Sequence, residues 1–375
     1  MVPNGWVKSK ISDIANIAVG RDLKEESYSE NKNDNFPFPV YSNTVSARGL
    51  YGFYNFAEYS NEAVTVVGRG IGIGTAFSRK EPFGAIGRLL VLEPKNNAFD
   101  VVYFENYINS YLRVHHENGA IPQLPGASIA KYDVVLPPLL EQQKIAKILS
   151  TWDKAISTTE RLIENSTQQK KALMQQLLTG KKRLLDDEGK RFDKKWERIE
   201  LGKLLDYKQP TPYLVKSTDY SDEYPTPVLT AGKTFILGYT DEEFGIFSED
   251  LPTIIFDDFT TASKFVDFPF KAKSSAMKML VAKDGVSIKY IFEVMQALSY
   301  AIGGHQRHWI SIFANIVIGL PCLEEQQKIT AVSNNADKEI ELLEQQLADL
   351  QQEKKALMQV LLTGKKRVVV DGEVA

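Results

Sequence analysis

The chain has one cysteine, Cys322, among its 375 residues. A lone cysteine excludes an internal disulfide and a cysteine-based zinc site, so a reducing, cytoplasmic setting is expected. Four histidines stand as His115-His116 and around Gln306-Arg307 as His305 and His308. Neither group has the third nitrogen or sulfur donor that zinc needs, so no metal site is expected. No apolar run approaches the roughly twenty residues of a membrane span, and the N-terminus does not resemble a secretory signal. Charge of either sign is not in excess: 45 Lys and Arg against 48 Asp and Glu leave −3. A protein that grips a phosphate backbone usually advertises lysine and arginine, so composition argues mildly against nucleic acid. Catalytic signatures are missing too. There is no nucleophile elbow and no phosphate-binding loop. Pro137-Pro138 lacks the polar neighbour before it and the aromatic after it that an adenine methyltransferase uses. These absences point to a positioning module rather than an enzyme.

What is present is a duplication. Leu136, Pro137, Leu139, Glu141, Gln142, Gln143, Lys144 and Ile145 return as Leu320, Pro321, Leu323, Glu325, Gln326, Gln327, Lys328 and Ile329. Farther on, Lys170 to Gln175 and Leu177 to Arg183 return as Lys354 to Gln359 and Leu361 to Arg367. Leu136 and Leu320 stand 184 residues apart, as do Gly180 and Gly364. A register kept over such a length marks a repeated unit.

Between the matching ends the apolar residues step by four and three. Ile145, Leu149, Trp152, Ile156, Ile163, Leu173 and Leu177 form one seam. Ile329, Ala336, Ile340, Leu343, Leu347, Leu350, Leu357 and Leu361 form the other. The average of about 3.5 residues is that of a coiled coil. Polar residues interrupt the seams at Thr159, Ser166 and Lys170, and at Ser333 and Lys354, where they cost stability and fix register. Prolines precede each helix; Thr-Gly closes it, and Lys-Lys-Arg follows at the negative end of the dipole. From Glu141 to Thr179 such a helix spans about 58 Å. Packing of each helix on a globular core is the plain alternative. Two long helices of equal length in one chain most simply bind each other.

The globular segments repeat as well. Gly5-Trp6-Val7 with Ile11 and Ile14 is answered by Lys195-Trp196-Glu197 with Leu201 and Leu204. The expected layout is a first domain over 1–138, a helical region over 139–180, a second domain over 190–321 and a second helical region over 322–364. Short strands are predicted at Pro39 to Tyr41, Ala63 to Val67 and Leu89 to Leu92, and at Pro227 to Leu229, Thr253 to Phe256 and Met277 to Val281. Helices are predicted near Phe99 to Leu112 and Ile288 to Tyr300. Loops are expected at Ser42-Asn43-Thr44, Gly68-Arg69-Gly70 and Ser78-Arg79-Lys80. Strands with few helices give two α+β domains rather than a doubly wound sheet.

Local constellations say less. Gly68 to Gly74 is glycine-rich but fits neither dinucleotide nor phosphate-loop spacing, and reads as a turn with Arg69 at its tip. Asp257-Asp258 resembles a carboxylate pair for a metal, yet no further acid and lysine stand nearby, and a polar loop is the simpler reading.

Two diverged domains, each followed by a helix opening Leu-Pro-x-Leu and Glu-Gln-Gln-Lys-Ile, resemble the specificity subunit of type I restriction-modification systems. The resemblance rests on Leu136 to Ile145, Leu320 to Ile329, Ala172 to Gly180 and Ala356 to Gly364, with Trp6 and Trp196 in support. It covers nearly the whole chain and implies two homologous target-recognition domains of the DNA methylase specificity type. Each would read half of a split double-stranded DNA sequence, separated by helices pairing as an antiparallel coiled coil in a pseudo-two-fold repeat. It implies modification (methyltransferase) subunits as partners, two copies of them, and restriction subunits. S-adenosylmethionine, ATP and Mg would belong to those partners, leaving this chain without cofactor or catalysis. A scaffold that binds only proteins through two globular domains is the alternative, and a fused single-chain enzyme would need motifs that are missing.

Chemistry and loop placement, not the resemblance, nominate the DNA contacts: Asn43, Arg48, Arg69 and Arg79 in the first domain, and Lys233, Lys264, Lys273 and Arg307 in the second.

Overall fold

The computed structural model describes residues 2–113, 123–230, 234–258, 260–298, 309 and 312–370. The chain forms two compact units, one of residues 1–160 with 345–375 and one of 161–344. The division falls inside both long helices.

In the first unit, β1 (Val7–Lys10), α1 (Ile11–Ile14) and β2 (Ala15–Val19) lead into β3 (Tyr28–Ser29), β4 (Phe38–Tyr41), β5 (Leu50–Tyr54), β6 (Ala63–Val66), β7 (Ala76–Arg79), β8 (Gly84–Ala85) and β9 (Leu90–Pro94). There follow α2 (Val101–Tyr111), α3 (Gly126–Ile129), β10 (Asp133–Leu136) and α4 (Leu139–Leu178). One sheet runs β2-β9-β6-β7 and a second β3-β5-β4-β8, while β1 and β10 pair as a ribbon. All pairings are antiparallel except β4 with β8. The Ala63–Val66 strand is buried on both faces, which explains an unbroken apolar run instead of alternation. Asp100 starts α2 by accepting the Val102 and Tyr103 N–H groups at 2.9 and 2.8 Å. The helix then lies on edge strand β7, where Asn109 bonds both the N–H and the C=O of Ala76 at 2.8 and 3.0 Å. Those bonds satisfy an edge that would otherwise be open.

The second unit repeats the plan with β11 (Glu197–Glu200), α5 (Leu201–Leu204), β12 (Leu205–Lys208), β13 (Thr226–Leu229), β14 (Ile236–Thr240), β15 (Thr253–Asp257), β16 (Ser263–Val266), β17 (Lys271–Ala272), β18 (Met277–Ala282), α6 (Ile288–Ala297), β19 (Val317–Leu320) and α7 (Leu323–Leu361). Its sheets run β12-β18-β15-β16 and β14-β13-β17, with β11-β19 as the ribbon. Even an irregularity repeats: the register slips between Val40 and Tyr41 in one domain and between Val228 and Leu229 in the other. Two homologous α+β domains with long helices are therefore the architecture, as the sequence predicted.

Each unit contains part of both helices. In the first, Ile145 and Leu149 of α4 share a buried cluster with Leu361 at the end of α7, with Leu362 just beyond it and with Phe104 and Leu136 of the domain. In the second, Met174, Leu177 and Leu178 of α4 join Ile329 of α7 beside Trp309 and Phe313. Within each unit the helix segments run antiparallel, since the start of one meets the end of the other. Away from these clusters the seam is half-buried at Ile163, Ser166 and Lys170, and at Leu343, Leu347, Leu350 and Lys354, with exposed residues between. The two sequence readings thus divide the helix. Its ends pack into globular cores, and its middle carries the narrow stripe of a two-stranded coil. The seam lysines have partners: Lys354 meets Asp153 in the first unit and Lys170 meets Asp337 in the second, each at 2.5 Å. Among the described residues, no helix is long and apolar enough to cross a membrane.

Candidate nucleic-acid interface

The repeated Glu-Gln-Gln motif attaches each domain to its helices. Glu141 is buried and receives Arg367 Nε and Nη2 at 2.6 and 2.7 Å; Glu325 receives Arg183 the same way at 2.5 and 2.7 Å. Such two-pronged pairing is the strong form of the ion pair. The next residue, Gln142, donates to Pro137 O and accepts Asp100 N–H; Gln326 donates to Pro321 O and accepts Ser287 N–H. Each glutamine therefore links the start of the long helix to the N-cap of the domain helix. Gly180 and Gly364 end the long helices at φ 70° and 68°, and the rings of Trp196 and Trp6 lie against them. Sequence reasoning saw these residues as punctuation and missed their role as a clasp. The signal was the repeat itself, since a charged pair kept in both copies has a job in both.

On this mount the first domain gathers three loops. Asn43 donates to Gly87 O and accepts Gly68 N–H at 2.8 Å, so its amide is a tie between loops rather than a free reading group. The glycine-rich loop closes on itself through Gly74 N–H to Val67 O at 2.8 Å and Thr75 N–H to Gly72 O at 3.0 Å. Its glycines at 70, 72 and 74 have φ near +85°, open only to glycine at low cost. The result is a turn, not a phosphate cradle, with Arg69 exposed and Ile71 94% exposed at its tip. Arg88, which the sequence reading passed over, is exposed beside them at φ 66°.

Arg48 and Arg79 differ. Arg48 is in a tight turn with left-handed backbone, half-exposed, 2.8 Å from Glu105 and over the ring of Phe77. Arg79 corrects the sequence expectation: it closes β7 instead of lying in a loop, and only 5% of it is exposed. Its Nε donates to Thr65 Oγ1 at 2.9 Å, its Nη2 to Arg48 O at 2.6 Å, and its guanidinium stacks 3.5 Å from the Tyr41 ring. Burial pushes its pKa down to about 10, which still leaves it charged at neutral pH.

In the second domain Lys264 is exposed, on β16 rather than in a loop, with Nζ 5.9 Å from the Phe235 ring. Lys273 is half-buried and donates to Tyr220 OH at 2.9 Å. Lys233, Arg307 and the four histidines lie outside the described residues. Asp258, weighed as a metal ligand, accepts Trp309 N–H at 2.8 Å and faces Lys278 at 3.5 Å, and Asp257 accepts Thr260 N–H at 3.0 Å. Among the described residues no three acidic, histidine or cysteine side chains gather to hold a metal ion.

Known proteins resemble the chain in sequence and in fold. Residues 3–166 match the type I restriction modification DNA specificity domain. That stretch is the part of the chain that carries the family likeness. It is 50% identical over 143 residues to the type I restriction enzyme EcoR124I/EcoR124II specificity subunit of Escherichia coli, a match spanning 37% of this chain and 35% of that protein. Along 98% of its length it is 24% identical to the type I restriction enzyme MjaVIII specificity subunit of Methanocaldococcus jannaschii, of which 94% is covered. The fold is similar to that of a type I restriction-modification S subunit from M. genitalium, with TM-score 0.68 and 15% identity over 96% of this chain and 99% of that one.

Proposed function

We propose that this chain is the DNA-reading subunit of a type I restriction-modification complex. Each globular domain reads one half of a bipartite double-stranded target, and the paired helices set the interval between the halves. The observation that carries this reading is the doubled clasp. Two domains of one fold are fastened through the same Glu–Arg and Gln–backbone contacts to helices that pair antiparallel within each unit. A gapped sequence is recognised only when both readers are correctly phased around the duplex, which stiff helices of fixed length provide. Exposed Arg69 and Lys264 and half-buried Lys273 would supply phosphate contacts, and Lys233 and Arg307 remain candidates for the second half-site. Two modification subunits would dock on the scaffold and bring S-adenosylmethionine chemistry, while restriction subunits would bring ATP and Mg. This chain contributes binding and no bond-making step, in the cytoplasm.

The decisive experiment lengthens the interval. Four residues inserted into each helix, near Arg161 and near Gln345, add about one turn and about 6 Å to both. Methylation mapping should then find both half-sequences kept and the gap longer by one or two base pairs. An unchanged gap would remove the spacing role. Methyl transfer or ATP hydrolysis by the purified chain alone would overturn the division of labour.

A further inference from the structure

The first domain contains a charged cluster that its twin lacks. Ala47 and Arg48 follow one another in left-handed backbone, at φ 47° and 53°, with Gly49 at φ 87°. Two consecutive non-glycine residues in that region are strained, and strain of this kind persists only where surrounding structure imposes it. Here the imposing group is Arg79, whose buried guanidinium donates to the carbonyl of Arg48 itself. Gly49 seals the turn, because a Cβ there would sit 3.1 Å from Ser42 O and 3.2 Å from Thr44 O. The side chain of Arg48 is left 55% exposed, with Glu105 at 2.8 Å on one flank. Glu105 is itself fixed by the N–H and Oγ of Ser78 at 3.1 and 2.6 Å.

We infer that Arg48 is the base-reading cation of the first half-site and that Arg79 is the residue that positions it. The inference rests on the proposed function above and adds which atoms read and what aims them. A base edge, not a phosphate, is the target because Glu105 takes up charge on one flank of Arg48 and holds its guanidinium in place. A paired guanidinium gains less from the phosphate backbone, whereas the N–H groups not given to Glu105 keep the directional fork that matches O6 and N7 of guanine. The second domain cannot do this at the same place. Strand register sets Arg79 against Val266, Thr65 against Ile255 and Tyr41 against Leu229.

The test uses the full chain assembled with its modification subunits. Its probes are the duplex whose methylated sequence mapping identifies and single-base variants of each half. Arg48→Ala should lower discrimination at one base pair of the first half by about tenfold to hundredfold, leaving the second half untouched. The salt dependence of binding should stay as in the wild type. Arg79→Met should give the same one-sided loss although Arg48 is present. If that variant fails to assemble, Arg79→Lys, which keeps the charge and loses the fork, is read in its place. A loss spread evenly over all sequences, with the salt slope reduced by about one, would make Arg48 a phosphate contact and overturn the inference. Unchanged discrimination would overturn it too, with the proposed function intact. A wild-type complex with no two-part sequence preference would overturn both.

Discussion

The two domains share a plan and disagree about what fills it. Where Tyr54 lies buried over Gly84 in the first, a Cβ on the glycine would come within 2.7 Å of the ring. In the second the same two positions are Thr240 and Lys271, so the volume has moved from one strand to its neighbour's neighbour. Lys271 is fully buried and meets Glu242 at 3.1 Å. The cation–aromatic contact at the loop end is traded likewise: Arg48 over Phe77 in one, Lys264 near Phe235 in the other. Between α2 and β7 the polar Glu105–Ser78 pair occupies the place that Phe292 and Phe265 take between α6 and β16. The helix clasps drift less: the Glu–Arg and Gln–backbone contacts are the same in both, although Trp196 Nε1 donates to Glu325 at 3.1 Å and Trp6 makes no matching bond to Glu141. What the duplication kept is the fastening, and what it changed is the interior behind the loops.

The largest test of this contrast is Tyr54→Ala. Emptying a site that only this ring fills should cost the first unit about 3–5 kcal/mol, while Thr240→Ala at the matching place should cost the second about 1 kcal/mol or less. Hydrogen exchange resolved by domain would check it, since a two-unit chain need not melt in one step. Next are the clasps, where the halves should agree: Arg367→Ala and Arg183→Ala each strand a buried glutamate and should each cost about 2–3 kcal/mol by the same measurement. Of the two, Arg183 is the less exposed and should cost slightly more.

A pH difference follows from Glu242. Burial raises its pKa, but the N–H of Ser217, the ammonium of Lys271 and the N–H of Lys216 outweigh that and hold it below the usual carboxylate range. Its contribution is therefore present above an ordinary glutamate value of about 4.3 and lost as pH falls through the lower folded value. Exchange in the second unit should quicken over that acid window, and Glu242→Gln should flatten the dependence; an unaltered profile would refute this origin. The smallest effect belongs to the coil. Reversing Lys354 to Asp should cost about 0.5–1 kcal/mol, and adding Asp153→Lys should restore most of it, as a double-mutant cycle would show.

The fold was legible where the chain repeats itself. The 3.5-residue seam, the strands at Val40 and Ala63 and the helix after Phe99 needed only periodicity and capping residues. Arg79 was misplaced because Ser-Arg-Lys reads as a polar loop, and nothing local announces that an arginine will be buried against a tyrosine from another strand. Lys264 went astray in the same way. The buried pair of Lys271 and Glu242 was likewise invisible, since both letters belong to surface chemistry unless tertiary structure brings them together. Glu141 and Gln142 were seen as motif, but their partners stand 226 residues ahead and 42 residues behind, beyond the reach of any window along the chain.

Arg367 also donates to the carbonyl of Asn4 at 2.6 Å. During synthesis Asn4 leaves the ribosome long before that arginine, 363 residues on, exists, so the first domain must wait for it before this fastening can close. A product cut short ahead of Arg367 would keep Glu141 desolvated without its cation, a local defect through which quality-control proteases would find truncated chains before they join an assembly.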